Sequence, residues 1–264
     1  MELDGKVAIV TGGAAGIGKG ITLALSSAGA KTVICDLAYD RAVKLAEEIK
    51  AQGREAFAIK ADVCDSIDVN NMVKKVIGQF GKIDILVNNA GVIRVAPITD
   101  LDERDWDFIF DVNVKGIFLC CKAVAPYMMK QKSGKIVNIA SISGKSGGAA
   151  HAAIGFSAYV ASKFAVVGFT QNLAKEMAPY NVNVNAVCPG FVLTDMQDYI
   201  TVTLAKRAGL SPEEFIAKKV AELIPLGRPQ TPEDVGNLVV FLVSERARNI
   251  TGAAVNVDGG MDMH

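Results

Sequence analysis

Tyr159 and Lys163 stand four residues apart in Tyr159-Val160-Ala161-Ser162-Lys163, a spacing that puts both on one face of a helix. An ammonium beside a phenol favours the phenolate, and so lowers the phenol from its reference pKa of about 10 toward the working range. Such a pair can move a proton. A second candidate is the run Thr11-Gly12-Gly13-Ala14-Ala15-Gly16-Ile17-Gly18, which follows the apolar stretch Lys6-Val7-Ala8-Ile9-Val10 and opens a helical segment. Glycines at 12, 16 and 18, with Ile17 among them, let the backbone approach an anion closely. Free N–H groups and the helix dipole then attract it without a basic side chain, which suits a diphosphate. A third candidate is Ser141, which ends Lys135-Ile136-Val137-Asn138-Ile139-Ala140-Ser141 and could donate to a substrate carbonyl while Tyr159 transfers the proton. Ser143 and Ser146 are rivals for that role, and Ser143 is also a candidate substrate contact.

These residues need a frame that brings them together. Short β-rich apolar runs recur at 6–10, 31–35, 55–61, 83–89, 135–140, 182–188 and 253–257, separated by segments of helical periodicity. This pattern predicts a single α/β domain, a doubly wound Rossmann-type sheet of seven parallel strands with helices on both faces. Ligands in such a fold bind outside the carboxyl ends of the strands. Gly29, Gly53 and Gly81 close the first three helical segments, and Thr231-Pro232-Glu233-Asp234 opens the last long one with a cap, a first-turn proline and acids facing the dipole.

Asp36 ends the second strand, where the dinucleotide fold places an acid on the adenosine ribose hydroxyls. A carboxylate there repels a 2′-phosphate. The places where a basic residue would signal NADP hold Ala14, Ala15 and Leu37, so the expected cofactor is NAD.

The T-G-x-x-x-G-x-G turn and the Y-x-x-x-K pair together resemble the single-domain branch of the short-chain dehydrogenase/reductase family, and the likeness runs essentially from end to end. It implies reversible hydride transfer between a secondary alcohol and a ketone. Residue by residue, it implies that Asp62 and Val63 contact the adenine and that Asn88-Asn89-Ala90-Gly91 walls the cofactor cleft. Pro189, Gly190, Val192 and Thr194 would meet the nicotinamide carboxamide. Asn113 would be a fourth catalytic residue beside Ser141, Tyr159 and Lys163, its backbone holding a water that links Lys163 to solvent. Counting thirteen residues back from the tyrosine, as is usual in the family, selects Ser146. The run from Gly147 to Gly155 looks like a loop lengthened by about five residues, so strand register favours Ser141. The resemblance also implies a homo-tetramer that pairs helices around 104–130 and 157–178, and a substrate lid over 195–224.

The lid is long and mixes apolar with hydroxyl residues, as in polyol dehydrogenases and acetoin reductases. The leading expectation is therefore a sugar alcohol or vicinal diol, with His151 and the lid lining the pocket. The alternatives are a 3-oxoacyl reductase, for which Lys206, Arg207, Lys218 and Lys219 would offer a basic patch to an acidic carrier protein, and a non-catalytic nucleotide sensor. A formal charge of zero gives no field to attract nucleic acid or an anionic membrane. No signal segment or bilayer-length apolar span is evident, so a cytoplasmic protein is expected. The five cysteines lack C-x-x-C spacing and the only histidines are His151 and His264, so neither a disulfide framework nor a metal site is expected.

Overall fold

The computed structural model describes residues 1–147 and 155–263. Among them the strands β1 (Val7–Thr11), β2 (Lys31–Cys35), β3 (Ala56–Ile59), β4 (Ile85–Asn88), β5 (Gly134–Ile139), β6 (Val182–Pro189) and β7 (Ala254–Val257) form one parallel sheet in the order β3-β2-β1-β4-β5-β6-β7. The chain winds outward from β1 to β3, then returns to β4 on the other side of β1. Strand order thus reverses between β1 and β4, and a crevice opens at the carboxyl ends there.

The strands read as continuous apolar runs because helices cover both faces. Successive residues of one strand accordingly enter different cores. Ala8, Val10, Ile85 and Val87 pack with Ile21 and Leu25 of α1 (Gly16–Ser27) and Val235 and Val239 of α9 (Pro232–Val243). Val7, Ile9, Leu86 and Ile136 pack instead with α3 (Ser66–Phe80), α5 (Gly116–Gln131) and α6 (Ser157–Met177). A third cluster seats Leu45 and Ile49 of α2 (Tyr39–Ala51) on Ile34 and Ala56.

Local chemistry sets the helix ends. Asp65 caps α3 by accepting from Ile67 N and Asp68 N, and Gly81 ends it in the left-handed region at φ 74°. Thr231 and Asp234 cap each other's backbone at the start of α9, with Pro232 in its first turn. Between α4 (Glu103–Phe110) and α5 the helix passes through one wider π-type turn, Asp111–Lys115, and Asn113 lies within it. After β6 the chain forms two helices, α7 (Asp195–Ala208) and α8 (Pro212–Leu223), before returning to α9. No described helix is long and apolar enough to cross a membrane.

Candidate active site

A cavity of about 270 Å³ opens at the carboxyl ends of β1, β4, β5 and β6. Its floor is the glycine-rich turn. Gly12 and Gly16 hold positive φ, 59° and 49°, which a side chain would strain. At Gly18 a Cβ would strike the Gly12 carbonyl oxygen and sit 2.5 Å from Asn89 Nδ2, so bare backbone is required. Ala15 precedes α1 in extended conformation and makes no side-chain cap, whereas α3, α7, α8 and α9 are all side-chain capped. The first N–H groups of α1 are thus free of side-chain partners beside the cavity, and they fit a cofactor diphosphate.

The turn is braced from β4. Thr11 Oγ1 accepts from Asn89 N at 3.0 Å and Ala90 N at 3.1 Å, and Asn89 Nδ2 donates to Thr11 O and Gly12 O, both at 3.0 Å. Asn88 lies deeper and donates to Asn138 Oδ1, whose own amide donates to Thr170 Oγ1. The Asn-Asn-Ala-Gly element therefore splits its work: Asn88 ties strands in the core, while Asn89, Ala90 and Gly91 line the cavity. Asp36 reaches the same turn from β2. Its Oδ2 accepts from Ala14 N at 3.0 Å and its Oδ1 from Ala38 N at 2.9 Å, which fixes a carboxylate where an adenosine ribose would lie.

On the opposite wall Ser141, Tyr159 and Lys163 converge. The Ser141 hydroxyl oxygen accepts from Ser143 N at 3.1 Å, and its hydroxyl is close enough to the Tyr159 phenol to favour the phenolate. Lys163 Nζ lies 5.6 Å from the Tyr159 ring centroid and donates to Ile139 O at 2.9 Å. Burial pushes the Tyr159 phenol up to about 12, against the lowering by Ser141, and it pulls the Lys163 ammonium down to about 8. The expectation that the lysine would lower the phenol is corrected here. In the protein alone desolvation is the largest influence on both groups, and it disfavours both charged forms.

Asn113 is fully buried behind this wall. Its Oδ1 accepts from Val92 N at 2.8 Å, and its amide donates to Val92 O and to Ser162 Oγ, both at 3.0 Å. Ser162 Oγ in turn donates to Tyr159 O at 2.7 Å. The asparagine side chain is fully engaged in joining the π-type turn to the Tyr159 helix, which leaves only its backbone for a proton path. Ser162 carries no signal in the sequence for its bond to Asn113, and Thr11, read there as the first residue of the glycine-rich motif, gives no sign that its hydroxyl braces Asn89 and Ala90.

Gly12, Gly16, Ile17, Gly18, Asn89, Ala90, Gly91, Ser141, Tyr159, Lys163, Pro189, Gly190, Val192 and Thr194 all line the cavity. Leu37, 60 % exposed, stands outside it. Asp62 accepts from Cys64 N at 2.8 Å and is not part of the wall, and Val63 is a packing residue of the core beside Gly116. Ser143 is corrected as a substrate contact. It falls in a single helical turn, Ile142–Gly144, that is wedged under the Lys163 backbone, and there it is fully buried, with no partner for its hydroxyl among the described residues. Ser146 is half-buried and absent from the described wall. His151 lies outside the described residues. The wall also contains Ile93, Met196, Gln197 and Ile200. The last three fall in the 195–224 segment expected to be a substrate lid, but nothing in their types singles out which of them face the cavity.

A doubly wound parallel sheet, a glycine turn at its switch point and a serine–tyrosine–lysine cluster facing that turn define a nicotinamide-dependent oxidoreductase acting on CH–OH groups. The chain belongs to the short chain dehydrogenase family, whose model matches residues 6–204. It is 39 % identical over 259 residues to the 3-oxoacyl-[acyl-carrier-protein] reductase FabG of Staphylococcus epidermidis, covering 98 % of this chain and 99 % of that protein. It is 41 % identical over 266 residues to the 3-oxoacyl-[acyl-carrier-protein] reductase of Synechocystis sp., covering 99 % and 98 %. The crystal structure of gox2181 superposes with a TM-score of 0.88 at 38 % identity, covering 98 % of this chain and 96 % of that one.

Proposed function

We propose that the protein is an NAD(H)-dependent reductase of 3-oxoacyl thioesters. The observation that carries the reading is one cavity lined by Ser141, Tyr159 and Lys163 together, opposite a helix start without a side-chain cap. A bound nicotinamide supplies the hydride. Tyr159, neutral well above physiological pH, gives its proton to the carbonyl oxygen, and Ser141 holds that oxygen by a hydrogen bond. Lys163, charged below about pH 8, favours the phenolate left behind and fits the cofactor ribose. Asn113 and Ser162 hold the Tyr159 backbone in place.

Two features favour a 3-oxoacyl substrate over the polyol expected from lid length. The relatives named above are 3-oxoacyl reductases, and the described substrate side of the cavity is mainly apolar, with Ile93, Met196 and Ile200. A polyol needs a hydrogen-bonding partner for each hydroxyl it buries. The two-helix segment α7–α8 acts as the substrate lid and is the feature that keeps a diol or polyol as the second reading. NAD rather than NADP is supported by the Asp36 carboxylate and by Ala14, Ala15 and Leu37 at the places where a basic side chain would meet a 2′-phosphate. Assembly as a homo-tetramer is supported by Phe118 and Phe164, each 44 % exposed on α5 and α6.

The test is NADH consumption with acetoacetyl thioester, acetoin and a ketose panel in parallel, repeated with NADPH. Selective thioester reduction with NADH supports the proposal. Turnover of a ketose or diol alone would move the enzyme to the second reading, and a preference for NADPH would overturn the cofactor assignment.

A further inference from the structure

Beside the cleft and against α7 and α8 lies a second, smaller cavity of about 20 Å³. Phe191, Leu204, Phe215 and Leu223 supply apolar wall, and Lys219 adds a charged side chain. Gln197 and Ile200 line both this cavity and the main cleft, so these two side chains, one helical turn apart on α7, form the partition between them. The partition is not loosely held. Gln197 Nε2 donates to Thr201 Oγ1 at 3.2 Å, and Ile200 packs with Ile93, Val95 and Phe156 and against Tyr159. A carbonyl held by Ser141 and Tyr159 therefore has Ile200 as a neighbour, and the apolar space lies behind it.

We propose that the smaller cavity is the far end of an alkyl-tail site, and that Ile200 sets the length of tail the enzyme accepts. The inference rests on the 3-oxoacyl reading for the identity of the tail. As it stands, the cavity has room for little more than one methylene group, so the wild-type enzyme favours short chains. Replacing isoleucine by alanine removes three carbons from the partition and joins the two spaces. Each further methylene then buried from water raises specificity about fourfold, so a longer tail gains about tenfold or more.

The experiment compares kcat/KM for 3-oxobutanoyl and 3-oxooctanoyl thioesters of N-acetylcysteamine in the wild type, Ile200→Val and Ile200→Ala. The expected result is a C8-to-C4 ratio that rises from wild type through Ile200→Val to Ile200→Ala, by about tenfold or more overall. Adding Phe215→Trp to Ile200→Ala refills the cavity and brings the ratio back toward wild type. An unchanged ratio in Ile200→Val and Ile200→Ala, with thioesters still reduced, would overturn the proposal. If Ile200→Ala does not fold, the Ile200→Val ratio decides. If no thioester is reduced, the 3-oxoacyl reading fails, and the same ratio is taken between 2-octanone and 2-butanone, where a flat series overturns the tail site on its own account.

Discussion

The two walls of the cleft are built on different principles. On the cofactor side, at β1, β2 and β4, the working groups are mostly backbone: the uncapped start of α1, glycines that admit no Cβ, and a Thr11–Asn89 clamp that fixes two adjacent strand ends. On the substrate side, from β5 to α8, the working groups are side chains. Tyr159, Lys163 and Ser141 carry the chemistry, and Gln197 and Ile200 shape the space. A backbone site tolerates little change of geometry and takes one kind of ligand. A side-chain site can be recut by single substitutions, so one wall holds the cofactor, while the other carries the reaction and leaves room to reshape the substrate space.

Substitutions can break that division one wall at a time. Tyr159→Phe removes the proton donor and should lower kcat about 10³-fold while leaving the NADH dissociation constant nearly unchanged, read by turnover and by fluorescence titration. Gly18→Ala should do the reverse. The new Cβ meets the Gly12 carbonyl oxygen and Asn89, so NADH binding should weaken about 10- to 100-fold with the fold retained by circular dichroism. Asp36→Asn touches only the cofactor wall, and it should shift the NADPH-to-NADH ratio of kcat/KM upward by about tenfold, with no change in the choice among ketone substrates.

A separate effect, on stability and not on turnover or binding, concerns Lys163. Its pKa in the fold, about 8, lies below the unfolded value near 10.5, so between those pH values the unfolded chain binds more protons than the folded one. This group therefore makes the protein alone more stable as pH rises from about 8 toward 10.5. Denaturant melts of wild type and Lys163→Met over that window should show the wild type gaining stability relative to the variant. Parallel curves would refute the buried ammonium.

How much of this was legible in the sequence follows the same division. The glycine turn, the Asn-Asn-Ala-Gly element and the seven strands could be read because backbone demands leave residue-type signatures: glycine where φ is positive, apolar runs where both sheet faces are covered. Strand ends differed by a residue or two, as at β3 (55–61 expected, Ala56–Ile59 found), because the last residues of an apolar run can face the sheet without pairing in it. Ser141 was placed by strand register, and Ser146 lies off the described wall. Ser143 could not be judged, since a serine in a tight turn looks alike whether its hydroxyl faces a ligand or the underside of a helix. The Tyr159 phenol is raised where its lysine neighbour alone would lower it. Sequence shows the neighbouring charge but not the desolvation, and desolvation is the larger effect. Gln197 and Ile200, three residues apart, share a helix face, but their types say nothing about what lies on either side of it, so the partition is invisible until α7 and α8 are in place.

The most direct test of the central claim follows the hydride itself. Enzyme is supplied with NADH carrying deuterium at C4 of the nicotinamide and with acetoacetyl thioester, and the 3-hydroxybutanoyl product is read by mass spectrometry and NMR. The account predicts deuterium on carbon 3 of the product in the wild type, and labelled product formed about 10³-fold more slowly by Tyr159→Phe. Unlabelled product, or labelled product formed at wild-type rate by Tyr159→Phe, would contradict it.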